Sequence, residues 1–192
     1  EKGANPNKKN NNGLSALHYA ARNDNDNRKI VEMLLKYQAE IDSRNFSGCT
    51  PLITASNSNN IEVVRCLLDK GANPNKKDND GFIALHSAVY NENDNKKIVE
   101  MLLKYGAEID SQESSGCTSL MTAARNNHIE VVQCLLENGA NTNIKDNIRL
   151  SALHHVARNN DNRKIVEMLL KYQAQIDNRN SSGCTPLITA SH

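Results

Sequence analysis

Residues 47–80, SGCTPLITASNSNNIEVVRCLLDKGANPNKKDND, decide the fold. Thr50 followed by Pro51 is a helix start. The threonine side chain accepts from an otherwise unpaired first-turn amide, and proline lacks the N–H that its position would leave orphaned. Asn57-Ser58-Asn59-Asn60 marks a turn, because Asn tolerates left-handed backbone and bonds to its own main chain. A second helical segment follows, and Gly71 ends it where the chain turns left-handed. The stretch therefore reads as turn, short helix, turn, longer helix, loop.

The pattern recurs along the chain. SGCTPLITAS returns at 182–191, and KIVEMLLKY occurs at 29–37, 97–105 and 164–172. Ile30, Val31, Leu34 and Leu35 form one apolar helical stripe. The residue that precedes each T-P-L-like segment by two is Gly13, Gly48, Gly81, Gly116, Arg149 or Gly183, at spacings of 35, 33, 35, 33 and 34. The unit is thus a two-repeat cassette of 68 residues copied in tandem, with one residue lost in the last copy. Internal repeats of this length signal stacked supersecondary units, none of which buries its apolar faces alone.

Composition narrows the function. The 192 residues carry 23 Lys plus Arg against 22 Asp plus Glu, a net charge of +1. That balance argues against a strongly basic nucleic-acid binder, and few aromatics are available for base stacking. No apolar run approaches the roughly 18 residues of a membrane helix. Glu1 to Asn12 carry no signal-peptide apolar region. Five widely spaced cysteines without a CxxC pair read as reduced thiols of an intracellular protein, cytoplasmic or nuclear. Asn supplies 29 residues, clustered between the apolar segments as turn formers.

The segments G-C-T-P-L-I-T-A, L-S-A-L-H-Y-A-A, I-E-V-V-R-C-L-L-D-K-G-A-N-P-N and D-N-D-G resemble ankyrin repeats across essentially the whole chain. The reading is a single all-α array over 1–192. Its repeats are 10–44, 45–77, 78–112, 113–145 and 146–179, with partial repeats at 1–9 and 180–192. Because the array starts and stops inside a repeat, it is expected to be a fragment of a longer one, with a frayed last helix. The resemblance implies an ankyrin-repeat solenoid of helix pairs, β-hairpin finger loops at one side, and a concave surface that binds partner proteins. It also implies that His18, His86 and His154 brace the fingers rather than perform chemistry.

Departures from the family pattern carry their own expectations. The first, third and fifth repeats have extra residues between their helices. Asn59 and Asn127 stand in for a left-handed glycine. Ile83 replaces the Thr/Ser cap, at a cost of about 1 kcal/mol. Arg149, Gln38 and Gln173 replace glycines and are strained by about 1 kcal/mol each if their backbone stays left-handed.

No nucleophile elbow, phosphate-cradling loop or HExxH is present, and polar residues recur with the cassette where a catalytic pair would be unique. No enzyme activity, cofactor, metal or small-molecule substrate is expected. Cys66 and Cys134 occupy a core slot that holds Met in other repeats. Binding columns emerge when equivalent positions are stacked. The residue after each finger glycine is apolar throughout: Leu14, Cys49, Phe82, Cys117, Leu150 and Cys184. A basic column runs through Lys9, Arg44, Lys77, Lys145 and Arg179. The inner face of the first helix adds Tyr19, Arg22, Tyr90, Arg125, His155 and Arg158. His155 is expected in solvent, within reach of a ligand. These columns predict a protein partner on the concave face, with acidic residues meeting the basic column. The alternative is a structural spacer, favoured by the near-identity of alternate repeats.

Overall fold

The computed structural model describes residues 4–22, 27–90, 95–157 and 162–189. Eleven helices lie among them. They are α1 (Ala16–Arg22), α2 (Arg28–Lys36), α3 (Pro51–Asn57), α4 (Ile61–Asp69), α5 (Ala84–Tyr90) and α6 (Lys96–Lys104), followed by α7 (Ser119–Arg125), α8 (Ile129–Glu137), α9 (Ala152–Ala157), α10 (Arg163–Lys171) and α11 (Pro186–Thr189). Each short odd-numbered helix packs on the longer helix after it. Odd helices stack on odd and even on even, giving two layers of an all-α repeat solenoid. The odd layer is packed the more closely, because alanines such as Ala55, Ala88, Ala123 and Ala124 line it. The odd helices thus form the more tightly stacked of the two layers. The final residues of the chain, where a frayed end was expected, lie outside the described residues, as does the shortened loop before α10.

One leucine slot carries the core of the odd layer. Leu17, Leu52, Leu85, Leu120 and Leu153 are all at most 5% exposed. Cys66 and Cys134 are buried in the core as the cassette pattern predicts. At the last helix Leu187 is 79% exposed, and it borders an apolar groove of about 560 Å³ with Leu153, Val156, Val166 and Leu170.

Helix starts divide into two kinds. Thr50 Oγ1 accepts from the Ile53 amide at 3.2 Å, and Thr118 Oγ1 from the Met121 amide at 3.4 Å. Ser15 and Ser151, at the equivalent positions, pair with His18 and His154, hydroxyl to Nδ1 at 2.9 Å. In α5 Ile83 offers no cap acceptor, and its own amide donates to His86 Nδ1 at 3.3 Å, as the Ser15 and Ser151 amides do to their histidines.

The fingers are short hairpin turns with almost no regular strand, closed by backbone bonds such as Asn45 N to Cys49 O and Gly48 N to Asn45 O. Their one β-bridge among the described residues joins Gln112 and Thr118. A side chain organises each turn, which column reading had not singled out. Asn10 Oδ1 accepts the Asn12 and Leu14 amides, Asp78 Oδ1 the Asp80 and Phe82 amides, and Asp146 Oδ1 the Ile148 and Leu150 amides. Single amide bonds then link finger to finger, such as Asn79 N to Ser47 O and Asn147 N to Ser115 O, both 3.0 Å. On the other side of the stack, Asn7, Asn75 and Asn143 each clamp the next helix pair. Asn75 Nδ2 donates to Gly106 O at 2.9 Å, while its Oδ1 accepts from the Glu108 amide at 2.8 Å. Much of the asparagine excess is therefore structural wiring between neighbours.

Gln38, Gln173 and Arg149 all hold left-handed backbone, at φ of 65°, 64° and 64°. At the equivalent glycines Gly71 and Gly106, a Cβ would meet nothing within 4 Å. The glutamines are thus tolerated sterically and carry only backbone strain. Gln38→Gly is expected to stabilise the array by about 0.5 kcal/mol, the relief of left-handed strain less the extra entropy of an unfolded glycine. A raised urea midpoint at unchanged slope is the readout; an unchanged or lowered midpoint refutes it.

Candidate functional site

The finger turns and the odd helices α1, α3 and α5 enclose a cleft of about 430 Å³, built from three consecutive repeats. Its walls include Leu14, Tyr19, Arg22, Cys49, Phe82 and Tyr90. Phe82 lies edge-on to His86 and Tyr90, with ring centroids 5.6 and 6.0 Å apart. Tyr19 and Tyr90 remain about half exposed, at 48% and 57%. The Tyr19 hydroxyl accepts from Asn10 Nδ2 at 2.7 Å, which fixes the ring at the mouth. Asp78 and Asp80 also border the cleft.

The expected apolar stripe does not run the length of the array. Leu14, Cys49 and Phe82 are half-buried, whereas Cys117 and Leu150 are buried, at 7% and 3% exposed. Cys117 is covered because its sulfur faces Asp146 and His155, and the Leu150 amide is tied to Asp146 at 2.8 Å. His155, expected in solvent, is only 5% exposed. Its Nε2 lies 3.0 Å from Asp146 Oδ2, which draws the ring inward beneath the finger. Arg22 and Arg125 are exposed on the odd layer; Arg158 lies outside the described residues.

The basic column is both structural and electrostatic. Lys9 Nζ donates to Arg44 O at 2.9 Å and Lys77 Nζ to Gln112 O at 3.1 Å, so each bridges to the next repeat of the same column. Arg44 Nε donates to Gly48 O at 3.0 Å. Gln112 Nε2 donates to Lys145 O at 3.1 Å. Among the described residues, no carboxylate lies within ion-pair distance of Lys9, Arg44, Lys77 or Lys145. The carbonyl bonds of Lys9, Arg44 and Lys77 leave their positive charges without an anionic partner there.

Cys49 at the cleft and Cys117, one cassette further on, are poor nucleophiles. Burial, then the Asp78 charge, pushes the Cys49 thiol up to about 11, and burial also raises Cys117. Both are protonated near neutral pH, and the reactive form of cysteine is the thiolate.

His18, His86 and His154 act as braces. Their Nε2 atoms lie 3.0, 2.9 and 3.2 Å from the carbonyls of Cys49, Ser111 and Cys184. Each Nδ1 accepts a backbone amide, from Ser15, Ile83 and Ser151. The proton therefore sits on Nε2 and donates, from His18 and His154 to the next repeat and from His86 to the end of its own. Burial is the largest influence on all three and holds them below the usual histidine value. The unfolded imidazoles titrate near about 6.5 and the folded ones lower, so the unfolded chain binds more protons in between. Stability is accordingly full above about pH 6.5 and declines as pH falls through the folded values. Urea midpoints at pH 7.5 and 5.0 test this; the lower midpoint belongs to pH 5.0, and His86→Gln narrows the gap.

Ligand-type residues converge at one further place that sequence spacing did not reveal. Cys117, Asp146 and His155, all buried, bring their ligand atoms within 4.8 Å of one another.

Stacked helix pairs, linked fingers and a cleft shared by three repeats define a tandem-repeat scaffold. The chain belongs to the ankyrin repeat family: ankyrin repeats (3 copies) match residues 2–78, 27–113, 75–146 and 120–192, which together span nearly the whole sequence. The chain is similar to human transient receptor potential cation channel subfamily A member 1, 29% identical over 141 residues, covering 69% of this chain and 12% of that protein. It is 36% identical over 124 residues to a fowlpox virus (strain NVSL) protein named for its ankyrin repeats, covering 62% of this chain and 36% of that protein. Ankyrin repeat, SAM and basic leucine zipper domain-containing protein 1 of Carollia perspicillata is 37% identical over 105 residues, covering 54% of this chain and 22% of that protein. The chain thus matches about a third or less of the length of these relatives. Ankyrin repeats are in general protein–protein interaction modules rather than enzymes. Among the described residues, no helix is long and apolar enough to cross a membrane.

Proposed function

We propose that this array binds an acidic protein segment across its concave face, with an apolar side chain of the partner seated in the cleft between Leu14, Tyr19, Phe82 and Tyr90. The observation that carries the reading is that cleft. Three successive repeats contribute to it, its aromatic rims are half exposed, and Arg22 lines it. Exposed aromatic anchors beside a buried apolar floor are what interface hot spots are made of. Arg22 at the cleft and Arg44 and Lys77 along the fingers attract carboxylates and speed encounter. Asp78 and Asp80 sit at the same cleft and disfavour a partner that places its acids there, so they set register. No activity beyond binding enters the proposal.

The test is selection of peptides from a random display library against the array, followed by affinity measurement on the winners. Selected peptides carry an apolar residue flanked by Asp or Glu, and their affinity falls as salt rises. Tyr19→Ala/Tyr90→Ala removes the two half-exposed rim rings and weakens binding of these peptides by about tenfold or more. Equal binding by the double variant, or winners without acidic residues, defeats the proposal and favours the spacer reading.

A further inference from the structure

The array has a second chemical feature, away from the aromatic cleft. Cys117 lies after the finger glycine before α7, Asp146 begins the next finger, and His155 lies on α9. Cys117 Sγ is 3.9 Å from Asp146 Oδ2 and 3.9 Å from His155 Nε2, and Nε2 is 3.0 Å from Oδ2. In a catalytic relay the imidazole would present one nitrogen to the carboxylate and the other to the thiol. Here the same nitrogen faces both groups, so the three atoms point at one place instead of passing a proton along.

We infer that Cys117, Asp146 and His155 form a Zn²⁺ site that staples consecutive ankyrin repeats together. Zinc takes sulfur at about 2.3 Å and nitrogen or oxygen at about 2.0–2.2 Å, so the ligand atoms of a tetrahedral site stand roughly 3.3–3.6 Å apart. The three observed separations bracket that range. A thiolate and a carboxylate supply two negative charges against the divalent ion, and imidazole supplies the neutral donor. The carboxylate is already aimed: Asp146 Oδ1 accepts the Ile148 and Leu150 amides at 3.1 and 2.8 Å, leaving Oδ2 to face the thiol and the ring. The Cys117 amide is itself held by Glu113 at 2.9 Å. Such outer bonds hold first ligands in place. On binding, the Cys117 S–H bond breaks, an S–Zn bond forms, and the proton leaves to solvent. The imidazole coordinates through its Nε2 lone pair and carries its proton on Nδ1. Three protein ligands leave one coordination position for water.

The cassette contains its own control. One copy earlier, Cys49 Sγ lies 3.6 Å from Asp78 Oδ2, with Ser87 in the place of His155. Cysteine and aspartate thus recur with the fold, and only the last copy adds the nitrogen that completes a set.

Chelator-stripped protein is titrated with Co²⁺ as the reporter and then with Zn²⁺ as the competitor. The expected result is one equivalent of Co²⁺, with a sulfur-to-cobalt charge-transfer band and tetrahedral visible bands, displaced by one equivalent of Zn²⁺. His155→Ser reproduces the Ser87 arrangement and weakens binding by roughly a hundredfold or more. Cys117→Leu, which places there the residue found at Leu14 and Leu150, abolishes the charge-transfer band. Circular dichroism confirms that both variants keep their helices, and Zn²⁺ raises the melting temperature of the unsubstituted protein alone. Absence of the charge-transfer band in the unsubstituted protein, or affinity unchanged in a folded His155→Ser variant, overturns the assignment.

Discussion

Leu85→Ala is expected to destabilise the array by about 3 kcal/mol, the cost of a buried leucine plus the cavity it leaves. Leu17, Leu85 and Leu153 hold the same place in three cassette copies, so the same substitution can be made in three settings. Leu85 lies on α5, which packs against α3 on one side and α7 on the other. Its loss weakens two interfaces at the centre of the stack. A solenoid's stability is a sum of repeat terms and nearest-neighbour terms. Weak coupling at the centre therefore divides the array into two blocks that unfold separately. Leu153 borders the open groove beside α11 and is already 5% exposed, so Leu153→Ala costs less, about 2 kcal/mol. Equilibrium urea unfolding of both variants is the measurement. Leu85→Ala should lower the midpoint further and broaden or split the transition. Equal losses with one sharp transition would show that the array unfolds as a single block.

The contrast between these leucines also shows what sequence alone could convey. Period, helix order and the leucine slot were legible because apolar spacing fixes which residues share a helical face. Left-handed backbone at Gln38, Arg149 and Gln173 was legible too, since each replaces a glycine whose copies occupy the same turn. Depth was not legible. The slot of His155 holds Tyr19 in the first repeat, half exposed, and Ser87 and Thr122 in others, both buried. A column gives direction from the helix axis, whereas burial depends on what the adjacent finger brings over it. Asp146 brings a carboxylate, so the ring turns inward. The same reasoning explains Cys117 and the asparagine clamps: their partners lie about one repeat away and were invisible to a search for short spacings. Pairing each column with the next column at an offset of 29 or 38 residues would have found Cys117 beside Asp146 and His155.

The finger ladder that carries both proposed sites is sensitive at Gly116, and Gly116→Ala is expected to cost about 3 kcal/mol. Two effects contribute. Gly116 has φ of 82°, where a Cβ strains the backbone by about 1–2 kcal/mol. That Cβ would also stand 2.8 Å from the Asn147 amide nitrogen and 3.0 Å from the Asp146 Cα. Backbone cannot swing aside as a flexible side chain can, so the next finger must move, and overpacking of this kind adds about 1–3 kcal/mol. The movement strikes the bonds from Asn147 to Ser115 O and Ser114 O, at 3.0 and 2.9 Å. Gly106→Ala separates the two effects. Gly106 has nearly the same φ, 83°, and open space around its Cβ direction. It should therefore cost only the strain, about 1 kcal/mol. The difference between the two midpoints measures how firmly one finger is held by the next. If it is large, displacing the Asp146 finger should also spoil Co²⁺ binding at Cys117 and His155, while Gly106→Ala leaves that binding intact. Equal midpoints for the two alanines would mean that the fingers are soft. Neither the cleft nor the cysteine–aspartate–histidine cluster would then be held rigidly enough to select a ligand.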